Sequence, residues 1–550
     1  MDAGSSGVAP TTARDGGSGR WALVVFVVYV AAALPLLVLV LGDQRWFHRD
    51  DWAVLAGRDL SLQGVFEPLL GTQMLAVPVV VFRALWTAFG ATSYTPYLIA
   101  VVAVHLGVAV VLRVLLRHVG VGPWLATIGA SILVLCGPVH ETYFHATQMN
   151  FTFSLLFGIG QLLLADHEGP IGRRDALALG LGMLGVLSSL VGIPMTVVVG
   201  AAVLVRRGWR PAALQTVPLA AVVVAWVVAM DPTSVSPSGA PTLGTTLRWV
   251  GWSIEGLLQV LGRAPVVGGV LLLLTLGGLG LAVAAAPTEG ATSRPERVRA
   301  RLRPVAVPMA MLGGALLFSG LAARGRWTLG ESGAQSDRYL YVMAVLTIPA
   351  LCLAAETVAR RWPRARPAVV VLLLVPIPFN IRSFDEPPFS APYFAKQEAL
   401  ITGTVDLPLA HEVPADAVPP GWNPTMSKAM TVGFLLDAHA QGRLPAFDGP
   451  LPPRLRDELT LRLIAYQDHA RGPATGCRQV TSSLELAPEV GDRYRVTTPV
   501  QVALVESATD PPTQVRVNPA RAGRLVFQVG GIPVVLSPPP GADGFEICDG

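Results

Sequence analysis

The sequence predicts a polytopic α-helical membrane protein of about eleven spans, followed by an extracytoplasmic domain of α+β or β-rich type. Three observations carry this. Hydrophobic residues make up 52% of the 550 residues and charged residues only 14%, where a soluble domain carries about 25% charge. Apolar runs recur between Trp21 and Ile381, and from Asp385 onward the composition turns proline-rich with ordinary charge. These features exclude a collagen, a coiled coil, a disordered tail protein and a secreted disulfide scaffold. The balance of 41 basic and 37 acidic residues, a formal +4, is too weak and scattered for a nucleic-acid partner. Four cysteines are too few for a cysteine-rich metal protein.

Residues 1–20 are rich in Gly, Ser and Ala and predict a disordered cytoplasmic N-terminus. Residues 21–41 then run without a charge, long enough to cross a hydrocarbon core of about 30 Å. A cleaved signal peptide has a shorter apolar region, so this is an uncleaved first span. Further runs lie near 97–116, 123–137, 150–165, 175–189, 191–205, 212–230, 265–286, 305–322, 339–355 and 367–381. Arginine-bearing segments at 113–118, 173–174, 206–210, 294–303 and 360–366 belong on the cytoplasmic side by the positive-inside rule. They share one side only if the stretch 74–89, which contains Arg83, lies in the outer interface as a juxtamembrane helix. The N-terminus is then inside, the membrane domain covers 21–384, and residues 385–550 lie outside.

In that outer tail, 428–441 and 454–469 look helical, while Tyr494–Val505, Gln514–Val517 and Leu525–Val535 show the Val-rich alternation of strands. Cys477 and Cys548 both fall in the tail, in a compartment where a disulfide persists. Cys136 and Cys352 lie in spans and read as small core residues.

Directly after the first span comes Trp46, Phe47, His48, Arg49, Asp50, Asp51, Trp52. Adjacent carboxylates near a membrane surface are costly to desolvate and invite a functional explanation. Capping of a helix that begins at Trp52 is the structural alternative. The acidic pair is followed by an amphipathic stretch with Pro68 and Pro78 and by the block from Phe82 and Arg83 to Gly90. This layout resembles the GT-C superfamily of membrane glycosyltransferases, which includes protein O-mannosyltransferases and lipid A aminoarabinose transferases. The resemblance covers roughly residues 20–380 by layout, with the acidic loop as its one motif, and leaves the tail unexplained.

The resemblance implies catalytic carboxylates in the first outer loop and a polyprenyl-phosphate-linked sugar as donor. Asp50 is the first choice as base, with Asp51 as alternative or positioning partner. Glu141, in the second outer loop beside His140, occupies the place of a further family carboxylate. A divalent cation, Mg or Mn, held by Asp50 and Glu141 is an open alternative, because some relatives use one and others do not. His140, Glu141 and His145 lack the HExxH spacing of a zinc helix. Arg326 and Arg338 stand at the outer ends of spans, against the usual charge bias, and guanidinium suits a lipid phosphate. Tyr339 would meet the prenyl chain. Snorkelling interface anchors are the equal alternative for these residues. Arg83 reads as a snorkelling residue or a support for the acidic loop, and His105 as a packing residue within a span.

The leading expectation is therefore sugar transfer from a polyprenyl-phosphate donor to an envelope glycan, lipid or protein on the outer face of a bacterial plasma membrane. A transporter or flippase is the runner-up, although no internal repeat is visible and charges cluster at span ends rather than mid-membrane. A non-catalytic envelope assembly protein, whose tail binds a partner or glycan, is the third reading.

Overall fold

The computed structural model describes residues 16–69, 72–231, 239–287, 293–385, 391–417, 430–468, 475–517 and 524–549. Residues 1–15 of the expected disordered terminus lie outside these, whereas Gly16–Arg20 form the first turns of the Gly16–Pro35 helix. Pro35 cannot donate to the helical ladder, and the helix passes there into a π-helical turn, Leu36–Val40.

Each of the eleven apolar runs is helical. Among the described residues, eight helices are long and apolar enough to cross a membrane: Gly17–Val40, Thr95–His118, Ala146–Ala165, Trp209–Met230, Pro265–Ala285, Arg294–Ala334, Asp337–Arg361 and Pro363–Arg382. This is a multi-pass membrane protein. The other three runs form shorter helices, Pro123–Val134, Arg173–Ser188 and Gly192–Arg207, of 12, 16 and 16 residues. One further long helix, Leu243–Gly262, stands where no span was expected. Arg248 and Glu255 interrupt its apolar run, but Trp249, Ser253, Gly256, Leu257 and Val260 make one buried stripe at helical spacing.

The chain forms two compact units. The first comprises Met1–Asp43, Val65–Val80 and Tyr97–Pro388. Asp337–Arg361 is buried along most of its length and packs against Pro265–Ala285 and Ala306–Arg326. Buried carboxylates at one set of helix ends are matched by cations. Asp166 accepts from Arg206 at 2.7 Å and lies 2.8 Å from His118, and Asp175 bonds Arg207 and lies 3.1 Å from His167. Pairing of this kind is what makes buried carboxylates tolerable.

The second unit comprises Gln44–Gly64, Val81–Pro96 and Phe389–Gly550. Its later part holds the helices Ala391–Asp406, Val432–Ala440 and Pro453–Ile464, then nine strands: β1 (Ala465–Asp468), β2 (Thr475–Val480), β3 (Leu484–Leu486), β4 (Arg493–Val496), β5 (Val500–Leu504), β6 (Gln514–Val517), β7 (Arg524–Phe527), β8 (Val534–Ser537) and β9 (Phe545–Asp549). They make two antiparallel sheets, β1-β7-β4-β9-β2 and β3-β8-β5-β6. Val496, Phe527, Phe545 and Ile547 of the first sheet and Val500, Val502, Val534 and Leu536 of the second share one apolar core, as two sheets packed face to face require. A disulfide, Cys477–Cys548, ties β2 to β9.

The tail departs from the sequence expectation in three places. The helix expected to reach 469 stops at Ile464, and the chain continues as β1; residue 469, like 428–429, lies outside the described residues. The run Tyr494–Val505 is two strands in different sheets, divided at Thr497–Pro499, because proline cannot donate to a ladder. Leu525–Val535 likewise divides at Gly530, Gly531 and Pro533.

Candidate functional site

The acidic loop belongs to the second unit. Its aromatic residues are core rather than surface: Trp46, Phe47 and Trp52 are buried in mutual contact, with ring centroids 5.4–5.6 Å apart, and Tyr94 meets Phe47 edge-on at 5.0 Å. The chain enters the Asp50–Gly57 helix through Arg49, at φ 36° and ψ −98°. An L-residue is held in such a conformation at a cost of roughly 1–3 kcal/mol, and such outliers cluster at functional sites.

The two carboxylates have separate fates, as their ~100° separation around a helix requires. Asp51 is fully buried, and its Oδ2 accepts from the backbone N–H of His48 at 3.1 Å. His48 is itself buried, with its Nδ1 3.0 Å from the Tyr393 hydroxyl. Burial pushes the Tyr393 phenol up, opposed by the Arg49 guanidinium. Asp50 is only half-buried, and among the described residues no hydrogen bond or ion pair engages it. Both stand in the first helical turn, where a carboxylate interacts favourably with the helix N-terminus. At the other end of this helix, Arg83 donates from Nη1 to the carbonyl of Leu55 at 3.1 Å.

A second carboxylate centre lies in the first unit. Glu141 opens the single-turn helix Glu141–Phe144 and is buried. Its Oε1 lies 3.3 Å from His140 Nε2 and its Oε2 3.6 Å from His145 Nδ1. The Asp337 carboxylate lies within electrostatic reach of Glu141 and His140. Asp337 was not singled out from the sequence, where its neighbour Arg338 drew the attention. Its signal was a carboxylate in the first turn of a long apolar helix.

Arg338 is half-buried, with its guanidinium 5.3 Å from the ring centre of Tyr339. Tyr339 is buried and meets Phe151 and Phe318 edge-on. Arg326 ends the Ala306–Arg326 helix, half-buried. Among the described residues neither arginine has a hydrogen-bonding or carboxylate partner. His105 is fully buried, and its nitrogens meet Tyr341 Oη at 2.9 Å and the Val134 carbonyl at 3.2 Å, a packing role. Free Cys136 and Cys352 are buried.

No family model matches this chain. No curated protein matches it either. Among solved structures it is similar to ArnT from Cupriavidus metallidurans in the apo state, at 14% identity and a TM-score of 0.34, over 80% of this chain and 88% of that one.

A divalent cation needs several converging oxygen ligands. Among the described residues no group of three His, Cys, Asp or Glu side chains gathers to hold a metal. The proposed chemistry is routed through no metal. Among the described residues, the second unit supplies one half-buried carboxylate at a helix N-terminus, and the first unit supplies one buried carboxylate–histidine centre and two guanidinium groups without a hydrogen-bonding or carboxylate partner.

Proposed function

We propose that this protein transfers a sugar from a polyprenyl-phosphate donor to an acceptor hydroxyl at the outer membrane surface. In this reading Asp50 is the base. It takes the hydroxyl proton as the acceptor oxygen bonds to the anomeric carbon. The bond from that carbon to the phosphate oxygen breaks, and the electron pair leaves with the polyprenyl phosphate. Arg338 and Arg326 hold the departing phosphate charge, which guanidinium does well through paired hydrogen bonds. Tyr339 offers an apolar face to the prenyl chain, and Glu141 with His140 and Asp337 shapes the second carboxylate centre.

The observation that carries the reading is the contrast within the acidic pair. A helix cap alone would use its carboxylate on the backbone, as Asp51 does toward His48. Asp50 is left half-buried without a partner among the described residues, beside a loop braced by Asp51 and His48. The donor, the acceptor class and an envelope location belong to the proposal as well, with the N-terminus inside and the 385–550 region outside.

The test is release of polyprenyl phosphate from synthetic undecaprenyl-phosphate-linked glucose, mannose and arabinose by the purified protein in lipid nanodiscs, with membrane extract as acceptor source. Turnover of any donor that disappears in Asp50→Asn supports the reading. Equal turnover by Asp50→Asn, or none by the wild type with any donor, removes it.

A further inference from the structure

A cavity of about 370 Å³ opens in the second unit beside the C-terminal end of the Asp50–Gly57 helix, lined among others by Arg58, Asp59, Arg83, Trp86, Phe434 and Arg443. Its size falls in the range of small-molecule sites. Its wall is built rather than incidental. Trp86, buried, stacks on the half-buried Phe434, with ring centroids 5.8 Å apart at 23°. Arg58 is almost fully buried and donates to the Gly64 carbonyl at 3.3 Å, and Arg83 is fastened to the Leu55 carbonyl.

Arg443 differs from these two. Its guanidinium stands 6.0 Å from the Trp86 ring centre, and among the described residues nothing hydrogen-bonds or ion-pairs with it. Its backbone is nevertheless clamped. The Arg443 N–H donates to the Ala438 carbonyl at 2.8 Å, and the Arg443 carbonyl accepts from Ala91 at 2.6 Å. Gly90, at φ +59°, makes this approach feasible, since a Cβ there would collide with the Arg443 carbonyl oxygen. A fixed cation with unused donors over an aromatic wall is suited to an anion. The rim adds the amide of Gln441, which hydrogen-bonds hydroxyls, and the exposed carboxylate of Asp437, a like charge toward an anion. An aromatic wall for ring C–H groups, a hydroxyl-binding amide at the rim and one unpaired guanidinium together describe a sugar that carries an acid.

We propose that this cavity binds an anionic saccharide, with Arg443 taking its carboxylate or phosphate and Phe434, backed by the buried Trp86, meeting its ring. Binding here does not depend on the transferase reading, because it is measured without donor or turnover.

The experiment is isothermal titration of the full-length protein in phosphatidylcholine nanodiscs with four probes: trigalacturonate, glucose 6-phosphate, neutral maltotriose and inorganic phosphate. Saturable binding of trigalacturonate or glucose 6-phosphate is expected, and which of the two binds identifies the acid. Maltotriose and inorganic phosphate should each bind at least tenfold more weakly. Arg443→Gln should weaken the anionic saccharide by roughly tenfold or more, the scale of a lost charge-assisted bond. Asp437→Asn, at an exposed position, removes a repelling charge and should tighten it about two- to fivefold. Maltotriose or phosphate binding as well as the acidic sugars, no binding of either acidic sugar, or tightening absent in Asp437→Asn overturns the assignment, even if Arg443→Gln fails to fold.

Discussion

Exchanging each aspartate of the acidic loop for asparagine should separate folding from chemistry. Asp51 is fully buried and accepts the His48 N–H. Asparagine keeps an acceptor but turns a charge-assisted bond into a neutral one, a loss of about 1 kcal/mol or more. It also forfeits the interaction with the helix N-terminus, about 0.3–1 kcal/mol, rising to ~2 where partly buried. Asp51→Asn should therefore cost roughly 1.5–3 kcal/mol of stability. Asp50 lacks such a bond, so Asp50→Asn loses only the exposed dipole contribution, about 0.3–1 kcal/mol. In the transfer assay the order reverses. Asp50→Asn should reduce the rate by about 100-fold or more, the scale of general base catalysis, while Asp51→Asn keeps most of its rate per folded molecule. Thermal unfolding in detergent and initial rates at matched folded protein, from the same preparations, read both quantities. An Asp50→Asn variant that transfers normally beside a stable, inactive Asp51→Asn would refute the division of labour.

Replacing Cys477 and Cys548 by serine releases a loop set by a sequence separation of 71 residues, and the chain-entropy relation gives a loss of about 4 kcal/mol, read as a lower denaturation midpoint of the tail. Arg338→Ala should raise the KM for lipid donor more than for acceptor; an unchanged donor response would make it a membrane anchor. Glu458 is raised by burial but held below the ordinary carboxylate range by Arg462 and Lys396. Its stabilising share is present above the unfolded pKa of about 4.3 and is lost as pH falls through the lower folded value. Glu458→Gln should thus make unfolding of this unit less steep in pH below about 4.5, checked by acid titration of fluorescence. In intact cells, an impermeant protease should cut within 385–550 and spare 294–303; the opposite pattern reverses the orientation.

The spans were legible because each is a run dominated by apolar residues, a signal that needs no tertiary information. The Leu243–Gly262 helix escaped for the complementary reason: Arg248 and Glu255 break the run, and only its period carries the helix. In the tail, Val-rich stretches announced strands, but Pro499 and the Gly530–Pro533 segment were the marks that divide them between sheets. The acidic pair was visible as composition and position. Which member is buried was not, because that depends on how the loop is held by His48 and by Tyr393, far along the chain. Asp337 beside Glu141 is likewise a tertiary fact, since nothing local to either carboxylate points to the other.

The bracing of the acidic loop has a consequence for biosynthesis. His48 bonds Tyr393, 345 residues later, and within the same unit Ala91 bonds the Arg443 carbonyl. At translation rates of about 5–20 residues per second, the ribosome needs roughly 20–70 s after making the loop before Tyr393 exists. The loop must wait, exposed, through insertion of nearly every span, and it acquires its final shape only as the last third of the chain emerges. A nascent chain released early would sit in the membrane with its helices in place and its acidic loop unfinished.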